Sequence, residues 1–103
     1  MIRVSVLYPN GEGKTFDHDY YRDRHMPMVQ ELVGDALKDY YIDRGITSGA
    51  SDAPPPFLAV GHLLFESTQT YDAAFAPRAK EIMADIPNYT NSRPTMQFSE
   101  VVR

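Results

Sequence analysis

The sequence predicts an α+β fold in which a four-stranded antiparallel sheet carries two helices on one face. The order of strand and helix patterns along the chain is β-α-β-β-α-β, the ferredoxin-like arrangement. The length of 103 residues provides one modest core and is too short for two folded domains. We therefore expect a single domain that spans residues 1–103.

The first half of the chain predicts a strand, a helix and a second strand. Residues 2–8 are β-branched and aromatic and alternate over most of their length, which is typical of a strand. Asp17 can cap a helix that continues to about Val33, where Gly34 ends it. Residues 37–46 predict the second strand.

The third strand is the most apolar part of the chain. It is predicted over residues 57–66, after an exposed loop at 47–56 that ends in three prolines. One alternating set is Leu58, Val60, His62 and Leu64, and the other is Phe57, Ala59, Gly61, Leu63 and Phe65. Both sets are largely apolar, so both sheet faces should be buried, yet the chain has helices for only one. We expect a homodimer that packs face to face, the alternative being a monomer with a partly exposed sheet.

The last third of the chain predicts a helix and a final strand. Ser67 or Thr68 can cap the helix, and Pro87 ends it. Its apolar stripe consists of Tyr71, Phe75, Ile82 and Ile86. Residues 95–102 fit the fourth strand.

Composition excludes several classes of function. The chain has no cysteine, so it has neither a disulfide framework nor thiol chemistry. The net charge of −4 with dispersed Lys and Arg predicts no nucleic-acid or membrane partner. No phosphate-binding loop or metal-ligand spacing occurs, so we expect no cofactor and no metal. Without a visible signal peptide, a soluble cytoplasmic domain is expected.

A histidine in the first helix is the leading candidate for chemistry. His25 lies on a stripe roughly 60° wide that it shares with Tyr21, Met28 and Leu32. Pro27 predicts either a kink or a break with a new helical segment, and Met26 should be displaced from helical angles. The alternative is a core histidine bonded to a carbonyl. By contrast, His18 at the helix start is expected on the solvated surface.

Three residues of the middle strands are further candidates. His62 would enter a cavity if its set faces the open sheet surface, and would be a buried histidine if it faces the helices. Tyr40 and Tyr41 are adjacent, so one must point to each face of the sheet, and one is a candidate phenol donor. Histidine and tyrosine are the usual acid and base groups for enolisation chemistry near pH 7.

Two segments resemble the signatures of a known family. Residues 16–21 with residues 24–27 are similar to the first-helix signature of the EthD family, whose name comes from ethyl tert-butyl ether degradation. Residues 84–91, followed by a strand containing Gln97, resemble its second signature, with Tyr89 where the family has phenylalanine.

The resemblance implies a dimeric α/β barrel with a pocket inside each protomer. It implies that His25 is the family's helix histidine and Tyr21 its aromatic partner. His62 is similar in placement to a strand histidine of some isomerase relatives.

These observations predict a pocket for a small aromatic, polyketide-like or lactone metabolite. In an enzyme that needs no cofactor, His25 would be the general base of an isomerase, cyclase or monooxygenase. A tyrosine or His62 would donate to the enolate oxygen. The alternatives are a non-catalytic binding or accessory protein of a degradation pathway, and a haem-binding barrel with His25 or His62 as axial ligand.

Overall fold

A computed structural model describes residues 1–50 and 52–103, and it confirms the predicted fold class. The four strands are β1 (Ile2–Pro9), β2 (Asp39–Arg44), β3 (Phe57–Phe65) and β4 (Thr95–Glu100). They form one sheet in the order β2-β3-β1-β4. Every neighbouring pair is antiparallel, because each helical crossover joins two parallel strands that have a third, antiparallel strand between them.

The two helical units lie on one face of the sheet. The first consists of α1 (His18–Tyr20), a π-helical turn (Tyr21–His25), α2 (Met26–Val33) and a 3₁₀ turn (Gly34–Ala36). The second consists of α3 (Thr68–Ala74), a 3₁₀ turn (Ala76–Arg78), α4 (Ala79–Ala84) and a 3₁₀ turn (Ile86–Asn88). Among the described residues, no helix has both the length and the apolarity that a membrane crossing requires.

The ends of the first helical unit are those that the sequence predicts. The Asp17 carboxylate accepts a hydrogen bond from the Tyr20 amide at 3.0 Å, which satisfies one of the free N–H groups at the helix start. Gly34 follows Val33 with φ at +74°, a conformation that favours glycine.

Pro27 does not break the helix. It lies in the first turn of α2, directly after the π turn. The bond just before it is of the π type, because the Met26 amide donates to the Tyr21 carbonyl five residues back. The prediction that Met26 leaves helical angles is wrong, since its φ and ψ are −66° and −38°. The wider turn adjusts the helix before the proline, and the preceding residue stays helical.

The π turn also moves the buried face of the helix by one residue. Uniform α-helical spacing places Met28 and Leu32 on the inner stripe, but both are only half-buried. The buried residues of α2 are instead Met26, Val29 and Val33. A π turn accommodates one extra residue, so every position after Tyr21–His25 is rotated back by about 100°.

The second helical unit is interrupted where one continuous helix was expected. Ser67, and not Thr68, is the cap, since its hydroxyl accepts from the Thr70 amide at 3.1 Å. The interruption contains Pro77, which cannot donate the bond that a continuing helix needs. The predicted stripe residues Tyr71, Phe75 and Ile82 are nevertheless buried in the core.

The register assigns each strand residue to one face. Val4 pairs with Leu63 and Tyr8 with Ala59, and all four are buried beneath the helices. The opposite face carries Leu58, Val60, His62 and Leu64, which are half-buried in the single chain. The expected burial of both faces is thus met on the helix side alone.

Two outer strands are shorter than expected. The second strand ends at Arg44, and Ile46 beyond it is 84% exposed. The fourth ends at Glu100.

Candidate active site

His25 lies at the end of the π turn, enclosed between the first helical unit and the sheet. It is 3% exposed. Its ring stacks on Tyr21 with centroids 5.3 Å apart and planes inclined by 14°, and the Tyr89 ring is 4.7 Å away. His25 Nδ1 is 2.9 Å from Asp85 Oδ2. The imidazole is therefore held by an aromatic cage and one carboxylate.

Asp85 is the hydrogen-bonding centre of the second helical unit. Its Oδ1 accepts from the Tyr20 hydroxyl at 2.7 Å and from the Asn88 side-chain Nδ2 at 2.9 Å, while Oδ2 faces His25. Burial raises the pKa of Asp85, but the hydrogen bonds from Asn88, Tyr20 and His25 together outweigh burial and hold that pKa below its ordinary value. Asp85 is thus an ionised acceptor near pH 7.

Burial and the contact with Asp85 together determine the protonation state of His25. Burial lowers the pKa of His25, and Asp85 only partly offsets this, so the pKa lies below its usual value of 6.5. The ring is therefore neutral at pH 7. Because an ionised carboxylate can only accept, we assign the single proton to Nδ1, which leaves an unprotonated Nε2. The Tyr89 hydroxyl is 3.4 Å from this nitrogen.

Three buried tyrosines stand beside the imidazole. The hydroxyls of Tyr8 and Tyr89 are 2.6 Å apart, and the rings of Tyr8 and Tyr21 meet edge to face. Burial raises the pKa of all three phenols well above the ordinary value of 10. They remain protonated at any physiological pH and can act as O–H donors.

Gly61 makes room for the Tyr21 hydroxyl. This glycine faces the helices in the middle of β3, and a Cβ at its position would overlap the Tyr21 hydroxyl oxygen. A strand that approaches a buried phenol this closely requires glycine. The backbone of β3 thereby fixes how deeply Tyr21 can sit beside His25.

An inner chamber lies next to His25 and shares part of its lining with a larger groove. Its volume is about 30 Å³. Its lining consists of Val6, Tyr8, Tyr21, His25, Met26, Val29, Leu63, Phe75, Ile82, Met83, Ile86 and Met96. The outer groove has a volume of about 760 Å³ and shares Met83, Ile86 and Met96 with the chamber. These three apolar side chains lie where the two spaces meet, which we call the constriction, and the two methionines among them are flexible.

The structure brings two of the four predicted site residues together. Tyr21 and His25 both line the chamber. Tyr40 points toward the helices and packs against the core, but it does not line the chamber. His62 is on the opposite face of the sheet, with exposed Tyr41 beside it, so the sheet separates it from His25.

His62 has partners of its own on the open face. Its Nδ1 is 3.1 Å from the Ser5 hydroxyl, and its Nε2 is 2.8 Å from Asp43 Oδ2. His18 is not on the solvated surface as expected. It is half-buried with a buried, unpartnered Nδ1, because its ring packs on Phe16 at 4.7 Å. Among the described residues, no group of three or more His, Asp or Glu side chains is arranged to hold a metal ion.

Sequence reasoning missed three residues of this site: Tyr8, Asp85 and Tyr89. Asp85 and Tyr89 belong to the segment that resembles the second family signature, and a carboxylate beside the end of an apolar helix is a signal that could have identified Asp85. Tyr8 lies on the same face of β1 as buried Val4, which the alternation of that strand could have shown.

Comparisons with known proteins agree with the resemblance. The family model described as the EthD domain matches residues 10–93. A crystal structure of an EthD-like protein from Ralstonia eutropha JMP134 is 45% identical, with a TM-score of 0.94, and the match covers 99% of this chain and 92% of that one. A search of curated proteins finds no match.

More distant structures share the fold. An ethyl tert-butyl ether degradation (EthD) family protein from Bacillus halodurans C-125 is 17% identical with a TM-score of 0.65, and 97% of each chain is covered. The protein At3g17210 from Arabidopsis thaliana is 8% identical with a TM-score of 0.70, covering 100% of this chain and 97% of that one. With most of its length matched by the family model, the chain belongs to the EthD family, and this membership indicates a small-molecule-binding domain.

Proposed function

We propose that the protein catalyses a general-base reaction, without a cofactor, on a small aromatic, polyketide-like or lactone metabolite that has an acidic C–H next to a carbonyl. The observation that carries the proposal is the Asp85–His25 pair at 2.9 Å, which holds a neutral imidazole in the lining of an apolar, enclosed chamber. A neutral imidazole held in one tautomer by a carboxylate is a competent general base.

In this reaction His25 acts as the base and a tyrosine acts as the hydrogen-bond donor. His25 Nε2 takes the proton from carbon, and the electron pair of the broken C–H bond moves to the carbonyl oxygen. A hydroxyl of Tyr8 or Tyr21, both of which line the chamber, donates to the enolate oxygen. Return of the proton to another carbon gives an isomerase, and attack of the enolate on a second carbonyl of the same molecule gives a cyclase. A monooxygenase would consume molecular oxygen as its co-substrate.

The sizes of the chamber and the outer groove indicate where the two ends of a substrate would lie. The chamber, at about 30 Å³, holds about one water-sized group, so only the reacting end of a ligand fits beside His25 without side-chain movement. The body of the ligand would lie in the outer groove, and the methionines of the constriction can rearrange around it.

Proton exchange tests this proposal without knowledge of the natural substrate. Phenylacetone and a panel of other enolisable aromatic ketones and lactones are incubated with the protein in D₂O, and loss of the C–H signal is followed by NMR. We expect exchange that His25→Gln slows by roughly 10²- to 10⁴-fold. His62→Gln is the matched control and should keep the wild-type rate, because the sheet separates that residue from the chamber.

The second candidate is a non-catalytic binding or accessory protein, for example one that carries an intermediate in a degradation pathway. The hydrogen bonds of Asp85 to three partners suit a purely structural role as well as a catalytic one. This candidate is favoured if ligands bind in the groove, no ketone or lactone of the panel exchanges, and His25→Gln binds as well as the wild type.

Haem binding is not supported by the geometry of His25. His25 is 3% exposed, and the chamber beside it, about 30 Å³ in volume, does not accommodate a porphyrin. An absorbance scan with added haem tests this alternative, including the one in which His62 is the ligand.

We also propose that the open sheet face mediates a homodimer, with two sheets packed into one barrel. Support comes from the apolar residues Leu7, Leu58, Val60 and Leu64, which share that face and are only half-buried in the single chain. A second copy would bury them.

A further inference from the structure

We propose that the substrate carries a carboxylate or similar acid group, and that Arg93 in the outer groove binds it. This inference rests on the proposed function of the chamber and specifies its substrate class: an aromatic carbonyl compound with an anionic end.

Among the residues that the structure describes, Arg93 is the only charged side chain in the lining of the groove. The other residues there are Met83, Ile86, Pro87, Thr90, Asn91, Ser92, Pro94 and Met96. The groove therefore combines one cation with an apolar surface and has no acidic group. This composition suits an amphipathic anion.

The polar neighbours of Arg93 are already engaged within the protein. The Thr90 hydroxyl donates to the Thr15 carbonyl and the Ser92 hydroxyl to the Pro9 carbonyl, both at 2.6 Å. The Asn91 side chain donates to the Gly13 carbonyl at 3.0 Å and accepts from the Thr15 amide at 3.0 Å. These bonds hold the segment in place and leave recognition of a polar ligand to Arg93.

Arg93 itself is free to take a ligand. Among residues 1–50 and 52–103 it has neither a side-chain hydrogen bond nor an ion pair, whereas Arg22 is paired with Asp23 and Arg78 with Glu81. A guanidinium offers five N–H donors in a planar fork that matches a carboxylate.

A second cation lies close to the groove. Lys14 Nζ is 3.4 Å from the Asn91 carbonyl oxygen, two residues before Arg93. The whole chain carries a net charge of −4, so two basic groups near one groove without an acidic lining residue are a local reversal of charge. Such a site attracts anions over several ångströms, and salt weakens the attraction.

The groove that contains Arg93 lies beside the chamber that contains His25. Met83, Ile86 and Met96 line both the groove and the chamber. A ligand whose acid group meets Arg93 can therefore extend its apolar end through the constriction toward His25. The anionic end would orient the substrate, and its binding energy would be available in every step of the reaction.

The test compares an acid with its neutral counterpart. Binding of 3-phenylpropionate and of 3-phenylpropanamide at millimolar concentrations is measured by amide NMR shifts at the groove. We expect the wild type to bind the acid more tightly, by roughly fivefold, and Arg93→Gln to remove this preference while binding of the amide is unchanged. Arg22→Gln is the control, because it removes the same charge from a remote helix surface and should keep the preference.

The assignment would be overturned by equal binding of the acid and the amide to the wild type, or by a preference for the acid that survives in Arg93→Gln. Absence of acid binding at the groove would also overturn it. The outcome is independent of catalysis, because His25→Gln should retain the acid preference. Failure of the proton-exchange test would therefore reject the proposed chemistry of His25. The role of Arg93 would still be decided by the comparison of acid and amide binding.

Discussion

At the scale of single residues, the position of Tyr21 depends on the missing side chain of Gly61. The Tyr21 ring stacks on His25 on one side, and its hydroxyl touches the backbone of β3 at Gly61 on the other. An added methyl group would overlap the hydroxyl, and the nearest ring carbon is 3.2 Å from the same Cβ position. The space left by the missing side chain of Gly61 therefore allows the Tyr21 ring to remain stacked on His25.

Gly61→Ala should accordingly destabilise the protein by about 1–3 kcal/mol, because the Tyr21 ring must shift. The cost should be smaller in the background of Tyr21→Phe, which removes the atom that the methyl group meets first. Chemical denaturation of the wild type, both single variants and the double variant gives the coupling. Additive free energies of unfolding would show that the two residues do not compete for space.

Residue-level reasoning from the sequence found part of this arrangement. The stripe of the first helix identified Tyr21 and His25, because these two ends of the π turn are four residues apart and their rings stay stacked on one face. It did not identify Asp85 or Tyr89, because contacts between residues 60 or more positions apart depend on how the two helical units dock. Tyr40 and His62 illustrate the same limit. Alternation shows that adjacent residues face opposite ways, but not which face meets the chamber.

At the scale of elements, the π turn is the feature that the sequence pattern could not provide. A uniform period of 100° per residue predicts Met28 and Leu32 on the inner face, and one added residue replaces them with Val29 and Val33. Pro27 indicated an irregularity at the correct place but not its kind. A break, a kink and a π turn can each accommodate a residue that has no N–H to donate. The β-strand pattern was easier to interpret, since strands have a fixed period of two.

At the scale of the whole molecule, the sheet has one covered and one open face. The covered face holds the candidate site, and the open face mixes leucines and valine with the Ser5–His62–Asp43 hydrogen bonds. The chain length and the two-sided apolar pattern of β3 were sufficient to predict this imbalance. They could not predict which polar side chains form hydrogen bonds on the open face, because those side chains come from three different strands.

The homodimer predicts that one charge on the open face will separate the protomers. Val60→Glu should change the mass in light scattering from two chains to one at micromolar concentration, because a carboxylate would be buried without a partner. Gln69→Glu adds the same charge to an exposed position on α3 and should leave the dimer intact. A wild-type mass of one chain would contradict the proposed interface.

The central claim is that burial keeps the His25 ring neutral while Asp85 fixes its proton on Nδ1, so that Nε2 can accept a proton. Because burial lowers the His25 pKa, the base form persists at pH 7, and any reaction that depends on it should fail only when the pH falls through that lowered pKa. Nitrogen-15 NMR of the imidazole side chains, with His25 assigned by comparison with His25→Gln, measures this directly. We predict a neutral ring at pH 7 that carries its proton on Nδ1 and titrates below 6.5. A proton on Nε2, or a ring still charged at pH 7, would contradict the account.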